Sequence, residues 1–147
     1  MKRLFLPLTS AILMLCSCAS EYNSVYKSTD NNYKYEFAKE CFANGQYGKA
    51  SSILTDLVNY QKGSENAQEC LYMMAMSEFG NKDYEVSSEI FRKYLSSYPR
   101  GVYAEMAAFY FGEALYQSTP EARLDQSRTY TSITAFQNFL DVYHDSE

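Results

Sequence analysis

Apolar and polar positions alternate along most of the chain with the period of an α-helix. In the first unit, Phe37, Ala38 and Cys41 share one helical face, and Ile53 and Leu57 share the next. No window shows the sustained alternation of a β-strand. The pattern predicts six helices, over residues 32–44, 47–61, 66–79, 84–98, 103–117 and 129–143.

The helical pattern repeats along the chain with a spacing of 37 residues. Tyr47 and Tyr84 each follow a turn, and each is followed three positions later by a small residue. The first helices carry an aromatic residue at the same 37-residue spacing: Tyr35, Tyr72 and Phe109. The segment TSITAFQNFLDVYHDSE matches the second unit with a shift of 45, which puts the eight extra residues in one longer loop. The chain therefore contains three units of two helices.

A small residue is predicted wherever the two helices of a unit cross. The three pairs are Ala38 with Ala50, Ala75 with Ser87, and Gly112 with Ser132. Antiparallel helix pairs of this length with small crossing residues resemble tetratricopeptide repeats, so we expect an all-α tetratricopeptide-repeat superhelix. The alternative is an unrelated helical bundle. Lys34 and Glu78 depart from the repeat, because both occupy positions that are usually apolar.

The N-terminus has the layout of an export signal. Lys2 and Arg3 precede an apolar run over residues 4–15, which is too short to span a bilayer. The segment LCSC resembles the lipobox of bacterial lipoproteins and predicts Cys18 as the lipidated residue, with plain secretion as the alternative. A metal or redox role for the Cys16 and Cys18 pair is disfavoured, because no second pair or nearby histidine completes a ligand set. The predicted organisation is a signal peptide over 1–17, a lipidated N-terminus and flexible tether over 18–30, and a repeat domain over 31–147.

Charge and residue chemistry favour a binding protein over an enzyme. Removal of residues 1–17 leaves 11 basic and 18 acidic residues, a net charge of −7, which argues against nucleic acid as a partner. His144 is the single histidine, and no phosphate-binding loop, metal spacing or activated nucleophile is evident. We therefore predict no catalytic residues, no cofactor and no metal. Cys41 and Cys70 are expected to be buried small hydrophobic residues, with a disulfide between them as the alternative.

Aromatic side chains recur at a spacing of seven residues on the first helix of each unit, which places each pair on one helix face. In a tetratricopeptide register these faces line the concave wall, where aromatic residues suit peptide binding. The alternative is that they pack between neighbouring helices. The predicted peptide-binding groove consists of Tyr35, Phe42, Tyr72, Met76, Phe79, Phe109 and Tyr116.

The whole chain resembles the BamD family of tetratricopeptide lipoproteins in the outer-membrane β-barrel assembly machinery. The resemblance is carried by YKYEFAKECFANGQYGKA, by FRKYLSSYPRGVYAEMAAFYFGEALY and by TPEARLDQSRTYTSITAFQNFLDVYHDSE. It implies a scaffold on the periplasmic side of the outer membrane that binds the barrel component BamA and unfolded outer-membrane proteins. It also associates the N-terminal repeats with substrate recognition.

The resemblance implies about five repeats, so we expect this chain to be a fragment in which the BamA contacts cannot be mapped. A last helix without a following repeat should expose an apolar face around Phe136, Phe139 and Leu140 and favour self-association. Two other interpretations stay open. One is another periplasmic tetratricopeptide lipoprotein acting as an adaptor in envelope or division processes, and the other is a surface nutrient-binding lipoprotein.

Overall fold

The computed structural model describes residues 21–60 and 66–145, and no strand occurs within these ranges. Residues 21–27 are helical and precede the first repeat. The following helices are α1 Asn31–Ala43, α2 Tyr47–Tyr60, α3 Ala67–Gly80, α4 Tyr84–Ser97, α5 Ala104–Gln117 and α6 Ser127–Val142. The predicted all-α fold is confirmed, and each bound lies within two residues of its predicted position.

Local sequence signals explain where the helices begin and end. Asp30 caps α1, because its carboxylate accepts hydrogen bonds from the backbone N–H groups of Asn32 and Tyr33. Asp83 caps α4 in the same way through the N–H of Val86. After α1 the chain turns at Gly45, whose φ of 70° lies in the region that glycine enters without steric cost.

The helices pack in chain order as a stack of antiparallel pairs. Each helix from α1 to α5 contacts the next one along the chain, and α1 makes a smaller contact with α3. Thus the second helix of each of the first two repeats is covered by the first helix of the following repeat. This arrangement is that of a tetratricopeptide-like superhelix.

The small residues lie at the helix crossings, as the sequence predicts. Ala38 and Ala50 are fully buried in the first repeat. In the second, the Ser87 hydroxyl donates to the carbonyl of Ala75 at 2.9 Å. In the third, the Ser132 hydroxyl donates to the carbonyl of Gly112 at 3.1 Å. A hydroxyl that reaches the backbone of the facing helix requires both helices to approach closely.

The apolar core runs continuously through the first five helices. One cluster joins residues 21–27 to the first repeat and to the start of α3, and the other joins the second repeat to α5. Val58 and Met74 pack against both clusters and link them. Unfolding one repeat would therefore expose core residues of its neighbour, which couples the repeats in stability.

The two polar residues at usually apolar positions are paired. Lys34 is 7% exposed, and its ammonium lies 3.2 Å from a carboxylate oxygen of Asp56 on α2. Glu78 accepts a hydrogen bond from the hydroxyl of Ser51, also on α2. Both polar groups thus form specific contacts between helices at positions where an apolar side chain would pack.

Residues 21–27 differ from the predicted flexible tether over 18–30. They are helical, and Val25 is fully buried. The hydroxyl of Tyr22 donates to Ser52 on α2 at 3.0 Å. Tyr22 and Val25 are three positions apart and share one helix face, so this short segment buries its apolar face against the first repeat. Because the segment is mostly polar, these two residues alone do not produce a pattern from which a helix is predicted.

Candidate functional site

Tyr35, the first member of the predicted groove, is buried between α1 and α3. It is only 4% exposed, and its hydroxyl donates to Glu69 on α3 at 2.8 Å. Burial, followed by the hydrogen bond and charge of Glu69, raises the pKa of Tyr35. The ammonium of Lys39 lies 5.0 Å from the ring centroid. Tyr35 therefore joins the first two repeats and offers almost no surface to a peptide.

Tyr72 occupies the equivalent position in the second repeat and is also packed between repeats. Its ring stacks on Tyr103 with centroids 4.6 Å apart, and it meets Phe91 and Tyr94 edge-on at 6.1 Å. Burial, with smaller effects of neighbouring tyrosines, raises the pKa of Tyr72 to about 12. Met76, one turn further along α3, packs against the same core cluster.

Phe42 and Phe79 end the first helices of their repeats and pack against the helices that follow. The ring of Phe42 lies 5.7 Å from that of Tyr47, and the ring of Phe79 lies 5.2 Å from that of Tyr84. Phe79 also lies 5.2 Å from Tyr110 of the third repeat. These aromatic side chains form contacts within and between repeats, as the packing alternative requires.

Phe109 and Tyr116 of the third repeat are the exposed members of the set, at 40% and 57%. Phe109 contacts Phe136 and Phe139 on α6, at 6.1 and 5.8 Å. With the shift of 45, Phe136 and Phe139 correspond to Phe91 and Tyr94, the two residues of α4 that contact Tyr72. Phe109 therefore keeps the internal contacts of its position, and it is still 40% exposed.

Five of the seven predicted residues pack between helices, so the set does not form one evenly exposed groove. Tyr35, Phe42, Tyr72, Met76 and Phe79 are buried or half-buried between helices. Exposed apolar surface instead gathers on the third repeat, where Phe109 and Tyr116 lie on α5. Further exposed apolar residues of this repeat are Met106, Tyr130, Ile133, Leu140 and Val142.

The expectation for the last helix is confirmed for Leu140, which is 63% exposed. It is wrong for Phe136 and Phe139, which are half-buried because they pack against Phe109. The shift of 45 between the second and third repeats explains why these two residues are half-buried. Phe136 matches the fully buried Phe91, and Phe139 matches the fully buried Tyr94.

An apolar cavity of about 310 Å³ opens where the end of α4 meets α5 and α6. Its lining includes Leu95, Pro99, Ala108, Phe111, Phe139 and Tyr143. The helical pattern does not predict this cavity, because its walls come from segments distant in sequence. Phe139 lines this cavity and also contacts Phe109. The apolar lining would suit an apolar side chain of a ligand.

The two cysteines of the repeat domain are free and buried, in agreement with the buried-hydrophobe interpretation. Burial raises the pKa of the Cys41 thiol. Burial and the nearby Glu69 raise the pKa of Cys70 to about 11. Both thiols are therefore protonated at neutral pH and poor nucleophiles.

The described residues contain no group of three or more His, Cys, Asp or Glu side chains arranged to hold a metal ion. His144 is 74% exposed and lies beside Asp145, with 3.3 Å between its Nε2 atom and the carboxylate. Among the described helices, none combines the length and apolarity needed to cross a bilayer. The candidate site of the described residues therefore consists of the exposed apolar residues of the third repeat and the apolar cavity between α4, α5 and α6.

Comparison with known proteins identifies the family. A search of curated protein sequences gave no significant match. The family model YfiO, described as "Outer membrane lipoprotein", matches residues 27–147, which include all six helices of the repeat stack. The protein is therefore a member of the YfiO family of outer membrane lipoproteins.

Proposed function

We propose that this lipoprotein is a non-catalytic scaffold of the outer-membrane β-barrel assembly complex. Lipid on Cys18 holds it on the periplasmic side of the outer membrane, where it binds a BamA-like barrel component and unfolded outer-membrane proteins. The observation that carries the proposal is the family match across the repeat stack. The resemblance of the repeats and lipobox to the BamD family supports the finer assignment.

The third repeat, rather than the N-terminal repeats that the resemblance favours, carries most of the exposed large apolar side chains of the described residues, and we propose substrate contact there. Phe109 and Tyr116 are exposed on α5, and the apolar cavity lies beside the contact between Phe109 and Phe139. Unfolded outer-membrane proteins are rich in apolar and aromatic side chains. Such side chains would gain contact area here without displacing a core residue of the stack.

The partners are tested by a pull-down of the intact, membrane-anchored protein from fractionated membranes, with identification by mass spectrometry. Recovery of the barrel component from outer-membrane fractions supports the proposal. Recovery of cell-wall or division enzymes without any barrel machinery overturns it and favours a general envelope adaptor. A Cys18→Ala variant, which cannot take the lipid, should leave the outer-membrane fraction.

The substrate surface is tested by peptide binding to alanine variants. We expect Tyr116→Ala to weaken binding of an aromatic-rich outer-membrane peptide about tenfold, as the loss of a central aromatic contact does. Its melting temperature should stay unchanged, because the side chain is 57% exposed. Tyr60→Ala is the matched control, since Tyr60 is a 73% exposed tyrosine on α2, away from this surface.

Phe79→Ala separates the substrate surface from the core. Because Phe79 packs against Tyr84 and Tyr110, its loss should lower the melting temperature and leave peptide affinity within about twofold. Unchanged peptide binding by Tyr116→Ala, together with lost binding by a stably folded Phe79→Ala, would contradict the third repeat as the substrate surface. It would favour the peptide-binding groove that was predicted from the sequence.

A further inference from the structure

Residues 21–27 dock firmly on the first repeat. Val25 is fully buried, and Tyr22 is hydrogen-bonded to Ser52 on α2. The ring of Tyr26 lies 5.8 Å from the ammonium of Lys34, which is itself paired with Asp56. The helix is therefore attached to both α1 and α2, and it moves with the repeat stack.

The chain between the predicted lipid and this docked helix is very short. Only Ala19 and Ser20 separate Cys18 from Glu21, so the Cα atoms of Cys18 and Glu21 lie at most about 11 Å apart. The helical segment adds about 10 Å along its axis. A lipidated Cys18 lies at the level of the headgroups, and the first repeat must follow it there.

Three of the exposed side chains near this end suit a headgroup layer. Tyr26 and Tyr33 are 45% and 43% exposed, and Lys27 is exposed between them in sequence. Tyrosine presents an apolar ring with a polar tip, and lysine carries its charge on a flexible apolar stem. Both side chains are favourable at a boundary between lipid and water.

We propose that residues 21–27 are a rigid spacer that holds the N-terminal end of the repeat stack, with the start of α1, against the membrane surface. The lipid surface is thus a second binding partner of the first repeat. The third repeat, with its exposed apolar surface, lies at the opposite end of the stack. This inference rests on the lipid attachment at Cys18 proposed above.

The test uses the full lipidated protein in vesicles of phosphatidylethanolamine and phosphatidylglycerol. A fluorophore is attached at Asn32→Cys in the first turn of α1, or at Gln137→Cys on α6, while Cys41 and Cys70 are buried. Quenching by a headgroup-linked nitroxide measures closeness to the membrane. We expect quenching at position 32 to be several-fold stronger than at position 137, and equal quenching at both would overturn the proposal.

An insertion separates the spacer from the anchor. Twelve Gly and Ser residues placed between Ser20 and Glu21 add a flexible segment with a root-mean-square span of about 20 Å and leave the docked helix unchanged. Quenching at position 32 should fall several-fold without a change in melting temperature. The same insertion between Ala122 and Arg123, in the loop before α6, is the matched control and should leave quenching intact.

A second pair of variants tests the docking contact. Val25→Asp places a charge at a buried position and should release the helix, again reducing quenching at position 32. Asn23→Asp adds the same charge at an exposed position of the same helix and should have no effect. Full quenching in both the insertion variant and Val25→Asp would overturn the spacer.

Mass spectrometry of the N-terminal peptide, made on the same samples, keeps the two proposals apart. Absence of lipid on Cys18 would overturn both the anchor and the spacer. Lipid on Cys18 without preferential quenching at position 32 would overturn the spacer alone.

Discussion

At the scale of single residues, the surroundings of a glycine decide what its substitution does. Gly112 lies where α5 meets α6, and a Cβ atom there would come within 2.9 Å of the Phe136 ring. Gly48 lies near the start of α2, where the nearest atom to an added Cβ, an oxygen of Asn81, would be 3.9 Å away. The same residue type is thus a close-packing requirement in one helix and a source of backbone freedom in the other.

We expect Gly112→Ala to lower the free energy of unfolding by about 1–3 kcal/mol, because the methyl group overpacks the contact with Phe136. Gly48→Ala should raise it by about 0.5–1 kcal/mol, because alanine loses less backbone entropy on folding. Urea unfolding measures both values. A change of the same sign in the two variants would contradict this assignment.

The raised pKa of Tyr72 predicts a loss of stability in alkali. An exposed tyrosine ionises near pH 10.0, whereas burial raises the pKa of Tyr72 to about 12. Above pH 10 the unfolded chain releases this proton first, so the native state binds more protons and its stability falls with pH. The contribution of Tyr72 is complete below pH 10 and is lost as the pH rises through about 12.

Urea unfolding between pH 9 and 12 checks this sign, with tyrosinate absorbance recorded in parallel. Tyr72→Phe should show a shallower fall in stability over this interval, because phenylalanine has no proton to release. A wild-type protein that gains stability over the same interval would contradict the prediction.

At the scale of helices, short-range signals and packing play different roles. Caps and turns fix where helices begin and end, so the predicted bounds agree closely with the structure. The exception is the segment over residues 21–27, where Tyr22 and Val25 are too few to give a helical pattern. That helix is held by its contacts with α1 and α2, and those contacts are tertiary.

The N-cap of α1 can be tested alone. Asp30→Ala removes the acceptor for two backbone N–H groups, which lie 2.9 and 3.1 Å from its carboxylate oxygen. We expect the free energy of unfolding to fall by about 1 kcal/mol. Thr29→Ala, which changes the exposed residue preceding the cap, is the control and should shift stability far less.

At the scale of the whole molecule, stacking determines which aromatic residues are exposed. Tyr35, Tyr72 and Phe109 are equivalent in sequence, yet Tyr35 is 4% exposed and Phe109 is 40% exposed. The first two are covered by residues of the next repeat. Sequence periodicity identifies the position, but exposure depends on whether another repeat covers it.

The exposed apolar face of α6 predicts self-association of the 18–147 chain. Ile133 and Leu140 are 49% and 63% exposed on this helix. Ile133→Lys combined with Leu140→Lys should lower the apparent mass at high protein concentration, measured by light scattering after gel filtration. Tyr60→Lys, which removes an exposed aromatic side chain on α2, is the control and should leave the apparent mass unchanged. If it lowers the apparent mass as much as the α6 double variant does, the association comes from general surface hydrophobicity and not from α6.

The sequence by itself determined the helices, the three-repeat organisation and the small residues at the crossings, because these depend on short-range periodicity and local capping. The exposure that it predicted for Phe136 and Phe139 was wrong, although both align with residues of the second repeat that prove to be buried, through the shift of 45. The docking of residues 21–27, the cavity beside Phe139 and the division of the aromatic residues into packed and exposed members were decided by the tertiary structure. Each of these depends on side chains from different helices meeting in space, and a periodic pattern along one helix does not specify its neighbours.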